Sequence, residues 1–60
     1  MTLHYQGGKT AQVEVVKDGR RWMYIKPMDS FVPGKYRVDK QTGEVQIAPY
    51  WNTGDGMYVD

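Results

Sequence analysis

The stretch from residue 31 to residue 49 contains two short runs of alternating apolar and polar residues, separated by a polar segment. The apolar members are Tyr36, Val38, Val45 and Ile47. A period of two puts alternate side chains on one face, so the runs predict two strands with one buried face. Between them, Gly43 supplies the left-handed residue that such a loop needs, and the side chain of Asp39 can cap the turn. The stretch therefore predicts a β-hairpin. No helical periodicity of ten or more residues occurs elsewhere.

A second hairpin is predicted over residues 10–26, because Asp18-Gly19 is a strong signal for a two-residue turn. Such a turn pairs Val15 with Trp22 and Val13 with Tyr24, so these side chains are expected on the core face. The opposite face would then carry Gln12, Glu14, Val16, Arg21, Met23 and Ile25.

The remaining segments are short. Residues 2–6 predict a strand that ends at Gly7-Gly8, and residues 57–59 predict a last strand. Pro27 and Pro33 predict a loop over 26–34, anchored by Phe31. The chain is thus expected to be one all-β domain over residues 1–60, a small barrel or strongly bent antiparallel sheet of four to five strands, SH3-like or OB-like.

Composition limits the chemistry available to the chain. It has no cysteine and one histidine, His4, so we expect neither a structural metal site nor a disulfide. His4 and Ser30 are the only base and serine nucleophile, which argues against catalytic residues, a cofactor or an enzyme.

The size and the ends of the chain carry further expectations. Domains of 60 residues bury a smaller fraction of their surface than larger domains do, so their stability is marginal. Self-association into a homo-oligomer is therefore expected, because it would add buried surface. The N-terminal residues lack the pattern of a signal peptide, and no apolar run approaches membrane-spanning length. A cytoplasmic protein without membrane contact is therefore expected.

Basic and aromatic residues are interleaved in several places, a pattern typical of proteins that hold single-stranded nucleic acid by phosphate neutralisation and base stacking. The candidate nucleic-acid-binding residues are Arg20, Arg21, Lys35, Arg37, Tyr50 and Trp51. Strand alternation also produces this pattern when aromatic residues point inward and basic residues outward. The alternative partner is another protein, bound as by an inhibitor through a sheet edge or through the face of Val16, Met23 and Ile25.

Residues 31–38, Phe-Val-Pro-Gly-Lys-Tyr-Arg-Val, contain a segment that resembles the Pro-Gly-x-Tyr-x-Val segment of filamentous-phage single-stranded-DNA-binding proteins. That resemblance implies a dimeric OB-like barrel from a phage or other mobile element. It assigns no DNA-contacting aromatic residue, because those of the family lie outside the matching segment.

Residues 43–49 are similar to the Val-Gln-Ile-Tyr segment of plasmid-borne type II dihydrofolate reductases, which are tetramers of SH3-like barrels. Gln46 and Ile47 match residues that line the shared pore of that family, and Ala48 stands where the family has tyrosine. This similarity implies a third interpretation, an oligomeric pore that binds cofactor and folate.

Overall fold

The computed structural model describes residues 1–29 and 34–60. These residues form seven strands: β1 (Thr2–Tyr5), β2 (Lys9–Asp18), β3 (Trp22–Pro27), β4 (Tyr36–Asp39), β5 (Val45–Ile47), β6 (Asn52–Thr53) and β7 (Tyr58–Val59). They make one antiparallel sheet that curls into a half-barrel. The all-β prediction is confirmed, with seven strands in place of four to five. Strand β7 lies within the last strand predicted over residues 57–59, whereas β6 has only two residues and is too short for alternation to reveal it.

The strand order is β6-β5-β4-β3-β2-β1-β7, so the first six strands form a meander and the last returns to the first. A 3-10 turn at Gln6–Gly8 joins β1 to β2, where the glycine pair predicted a turn. Strand β7 pairs with β1 through Leu3 and Val59, and the N–H of Asp60 donates to the carbonyl of Thr2 at 3.1 Å. The two ends of the described chain are thereby held together.

The core lies on the concave side of the sheet and draws one or two side chains from each of five strands. Its buried cluster is Leu3, Val13, Ile25, Tyr36, Val38 and Val45, and Tyr5, Met23, Ile47, Met57 and Val59 pack against it. The four apolar residues of the predicted 31–49 hairpin all belong to this set. That part of the prediction is confirmed.

The loop of the β4–β5 hairpin follows its predicted chemistry. Val38 pairs with Val45, and Gly43 has a φ of 79°, in the left-handed region. The N–H of Gly43 donates to the carbonyl of Asp39 at 2.7 Å, and the N–H of Gln41 donates to Asp39 Oδ1 at 2.9 Å. Asp39 therefore caps the turn with both its backbone and its side chain.

The register predicted for the β2–β3 hairpin is wrong. Val15 lies opposite Ile25 instead of Trp22, and Val13 lies opposite Pro27 instead of Tyr24. The loop is longer than two residues, with the N–H of Gly19 donating to the carbonyl of Trp22 at 2.9 Å, and a bulge interrupts the pairing between Val15 and Lys17. A slip of an odd number of residues exchanges the two faces of a strand, so every β3 side chain changes sides.

This correction also moves two predicted surfaces. Ile25, expected on the outer face, is 1% exposed in the core, and Met23 packs against that core. Val15, expected in the core, is 45% exposed. The face of Val16, Met23 and Ile25 suggested for protein contact therefore does not exist as one surface.

The predicted 26–34 loop begins later than expected, because Lys26 and the buried Pro27 belong to β3. Residues 30–33, including the expected anchor Phe31, lie outside the described residues. Across the two described ranges, no helix has the length and apolar character needed to cross a lipid bilayer.

The two valines of β2 test this register. Val13→Ala removes two methyl groups from a site that is 5% exposed and should destabilise the fold by roughly 2 kcal/mol. Val15→Ala, the same change at an exposed site on the same strand, should cost less than about 1 kcal/mol. Urea unfolding measures both. Equal losses would contradict the observed pairing.

Asp39 gives the fold a dependence on pH. Its carboxylate is nearly inaccessible to solvent and accepts hydrogen bonds from the N–H of Gln41 and from Arg21 Nη2, the latter at 3.2 Å. These bonds, led by that of Gln41, hold the pKa of Asp39 below its ordinary value of 3.8, against the opposing effect of desolvation.

A carboxyl whose folded pKa is lowered stabilises the fold at pH values above its unfolded pKa, and that contribution is lost as the pH falls through the folded pKa. Asp39→Asn should therefore lower the melting temperature at neutral pH, and its gap from the wild type should narrow as the medium is acidified below pH 3.8. Melting curves across pH measure this. Asp55→Asn, in an exposed turn, controls for the loss of one negative charge. A gap that stays constant with pH would refute the role of Asp39.

Candidate nucleic-acid interface

The outer face of the β3–β4–β5 sheet carries an arginine between aromatic and polar neighbours. Arg37 on β4 lies opposite Tyr24 of β3 on one side and opposite Gln46 of β5 on the other. Trp22 lies two residues from Tyr24 on the same strand and therefore on the same face. The corrected register thus places four long side chains at adjacent positions.

Arg37 lies at the centre of this group. Its Cζ atom is 3.9 Å from the ring centroid of Trp22 and 4.4 Å from that of Trp51, both well within cation–π range. Its Nε donates to Gln46 Oε1 at 2.8 Å. One half-buried guanidinium is therefore held by two indole rings and one charge-assisted hydrogen bond.

Trp51 reaches the group from the turn between β5 and β6. It has a φ of 57°, in the left-handed region that costs a residue with a side chain roughly 1–2 kcal/mol. Its ring meets Tyr24 edge to face, with centroids 5.6 Å apart and planes at 74°. Contacts with Tyr24 and Arg37 thus hold the unusual backbone in place.

Two further hydrogen bonds fix the position of Gln46, the residue that accepts the hydrogen bond from Arg37. Gln46 Nε2 donates to Glu44 Oε2 at 3.1 Å, and Thr53 Oγ1 donates to Glu44 Oε1 at 2.7 Å. These bonds orient the Gln46 amide so that its oxygen faces Arg37. They also tie β5 and β6 to the aromatic group.

A groove of about 470 Å³ opens beside this group. Its walls are formed by Val16, Lys17, Tyr24, Ile25, Lys26, Lys35, Tyr36 and Trp51. The three lysines have no ion pair within residues 1–29 and 34–60, and no acidic residue forms part of the wall. The groove therefore combines positive charge with the aromatic side chains of Tyr24 and Trp51.

The structure brings together some of the residues that the sequence predicted. Arg37 and Trp51 are in contact, and Arg21 lies 5.0 Å from the Trp22 ring while it pairs with Asp39. Lys35 is exposed in the groove wall. Two predicted residues stand apart from this contact network: Arg20 is exposed in the β2–β3 loop, and Tyr50 is 86% exposed beside Trp51.

Sequence reasoning missed Trp22 and Tyr24, which it placed in the core, and Lys17 and Lys26, which it did not select. One signal was available for three of them. Trp22, Tyr24 and Lys26 share the same parity along β3, and a face that contains a lysine is more often the solvated one. For Lys17 no such signal exists, because its position follows from the bulge.

Other chemical groups lie elsewhere. His4 stacks on Tyr58 with centroids 4.3 Å apart and shares a 2.8 Å hydrogen bond with Asp60. The part of the chain that the structure describes holds no cluster of three or more His, Cys, Asp or Glu side chains suited to a metal ion. Ile47 packs against the core, and Gln46 accepts a hydrogen bond from Arg37.

Comparison with known proteins returns no match for this chain among family models, curated proteins or solved structures.

Substitution of Arg37 tests whether its contacts with the two indole rings and Gln46 contribute to the free energy of unfolding. Arg37→Met keeps most of the side-chain bulk but removes the charge and the Nε donor, so it should lose about 1–2 kcal/mol of stability. Arg20→Met is the matched control, because Arg20 has no ring contact or ion pair among the described residues, and it should stay within about 0.5 kcal/mol of the wild type. Urea unfolding compares them. Equal effects would mean that the ring contacts contribute nothing.

Proposed function

We propose that this protein is a small β-barrel-like binding module that contacts single-stranded nucleic acid without reading its sequence. The observation that supports the proposal is the groove that Lys17, Lys26 and Lys35, which have no ion pair with any described residue, line together with the aromatic side chains of Tyr24 and Trp51. Lysines neutralise phosphates, and an aromatic ring accepts the face of any base. The proposed role is binding and not catalysis.

The groove, more than the whole chain, supplies the attraction for a polyanion. The net charge is only +1, which by itself favours no partner. Asp18 and Asp39 are each already paired with a cation, Lys40 and Arg21 respectively, so neither carboxylate is paired with a groove lysine. Glu14 lies across from Lys26 in register and is the carboxylate most able to weaken the groove.

The proposal also covers the cellular location, the source and the self-association of the protein. A cytoplasmic location is compatible with a chain that lacks cysteine, and a phage or other mobile element is the source that the 31–38 resemblance implies. Self-association would let two grooves act on one strand, which raises affinity without new contacts.

A second candidate is binding of another protein by strand addition. The N–H of Val13 still donates to the carbonyl of Met1 at 3.1 Å, but beyond it β2 pairs with β3 alone. Within the described ranges, the outer backbone edge from Val15 to Asp18 therefore has no strand beside it. Val15 and Val16 are 45% and 63% exposed along that edge. An edge of this kind accepts an extended segment.

Anisotropy of a labelled oligothymidylate in rising salt tests the first proposal. The three groove lysines should contribute about −2 to the slope of log K against log salt, since each single-strand phosphate contact contributes about −0.7. Lys35→Ala should reduce that slope by about 0.7, and Lys9→Ala, outside the groove, should leave it unchanged.

Trp51→Gly relieves the left-handed backbone while it removes the ring, so it should weaken oligothymidylate binding by roughly 1–3 kcal/mol.

Glu14→Gln should have the opposite effect and strengthen oligothymidylate binding, because it removes the carboxylate across from Lys26. Absence of binding at low ionic strength, or affinity that does not fall with salt, would refute the nucleic-acid proposal and leave strand addition as the stronger candidate.

A further inference from the structure

Arg37 has donors that the fold does not use. Its Nε–H is engaged by Gln46, but its two terminal nitrogens make no hydrogen bond and no ion pair with any residue in 1–29 or 34–60. No buried side-chain nitrogen or oxygen in those ranges lacks a partner, so these terminal nitrogens reach solvent. The fork of the guanidinium is therefore open.

The same guanidinium is unusually constrained for a solvent-accessible arginine. Trp22 and Trp51 contact it at 3.9 and 4.4 Å, and Gln46 is itself oriented by Glu44. An arginine fork that is already oriented loses less side-chain entropy when it binds an anion. Arg21 contrasts with it, because Asp39 already accepts a hydrogen bond from Arg21 Nη2.

We propose that Arg37 and Trp51 form a subsite for one nucleotide unit, in which the open fork of Arg37 binds a phosphate and Trp51 stacks with a base. This inference rests on the proposed function and deepens it: it separates one fixed, two-point contact from the diffuse attraction of the three lysines. A planar fork matches two phosphate oxygens at once, which an ammonium group does not. Trp51 also forms part of the groove wall, so a base stacked there would continue into the groove.

The first test compares arginine with lysine at constant charge. Arg37→Lys keeps the charge but loses the fork and its stacking, so oligothymidylate affinity should fall about tenfold while the salt slope stays nearly unchanged. This differs from Lys35→Ala, which changes the slope. Lys9→Arg, the reverse exchange at a lysine outside the groove wall, is the control and should bind as the wild type does. Near-ultraviolet circular dichroism checks that each variant is folded.

The second test uses the wild-type protein, so it does not depend on the folding of a variant. The indole N–H signals of Trp22 and Trp51 are followed by NMR while thymidine 5′-monophosphate, thymidine, inorganic phosphate or acetate is added. The nucleotide should shift these signals at lower concentration than thymidine or phosphate alone, because it engages ring and fork together. Acetate should have the weakest effect.

The outcomes separate this inference from the proposed function. If the wild type binds oligothymidylate and Arg37→Lys binds equally well, the subsite is wrong and the lysine groove stands. If oligothymidylate does not bind but the monophosphate shifts both indoles, the proposed function fails and the nucleotide subsite stands. If the monophosphate shifts neither indole, or acetate acts as strongly as phosphate, the subsite is refuted.

Discussion

The register of β2 against β3 is the constraint on which the rest of the molecule depends. Pairing of Val15 with Ile25, followed by the bulge before Lys17, turns Ile25 and Met23 toward the core. The same register turns Trp22 and Tyr24 outward, next to Arg37 of the neighbouring strand. A shift by one residue would exchange these two sets, because side chains alternate along a strand. Core and candidate interface are therefore two consequences of one pairing.

The outer aromatic group is difficult to explain as packing alone. A domain of 60 residues has little interior, and among residues 1–29 and 34–60 its largest fully buried side chains are Leu3, Ile25 and Val45. Both tryptophans, the largest apolar side chains of the chain, nevertheless lie half-buried outside that core. One of them, Trp51, also holds a backbone conformation that costs roughly 1–2 kcal/mol. Conformations of this kind are concentrated at binding sites, where neighbouring contacts maintain them.

The contacts of Arg37 with its neighbours also offset the hydration that its half-buried charge loses. Arg37 keeps part of its hydration, and each ring contact contributes about 0.5–1 kcal/mol at an accessible site. Gln46 satisfies Nε with a neutral partner, so the positive charge is oriented without being cancelled. This distinguishes Arg37 from Arg21, whose charge stabilises the carboxylate of Asp39 and hence the β4–β5 turn. The charge of Arg21 is thus neutralised within the fold, whereas that of Arg37 is not.

The sequence by itself determined the all-β class, the β4–β5 hairpin and its cap, because alternation and turn residues act over a few neighbouring positions. Tyr36, Val38, Asp39 and Gly43 all occupy the roles that their local pattern predicts. It also selected Arg37, Trp51 and Lys35 as candidate site residues, since clusters of basic and aromatic side chains are visible without a fold, and the structure places Arg37 against Trp51. Only the tertiary structure decided the β2–β3 register and with it the places of Trp22, Tyr24 and Lys17. Two-residue turns and bulged longer loops are both compatible with Asp18-Gly19, and packing of Ile25 with Leu3 and Val45 from remote strands selects between them.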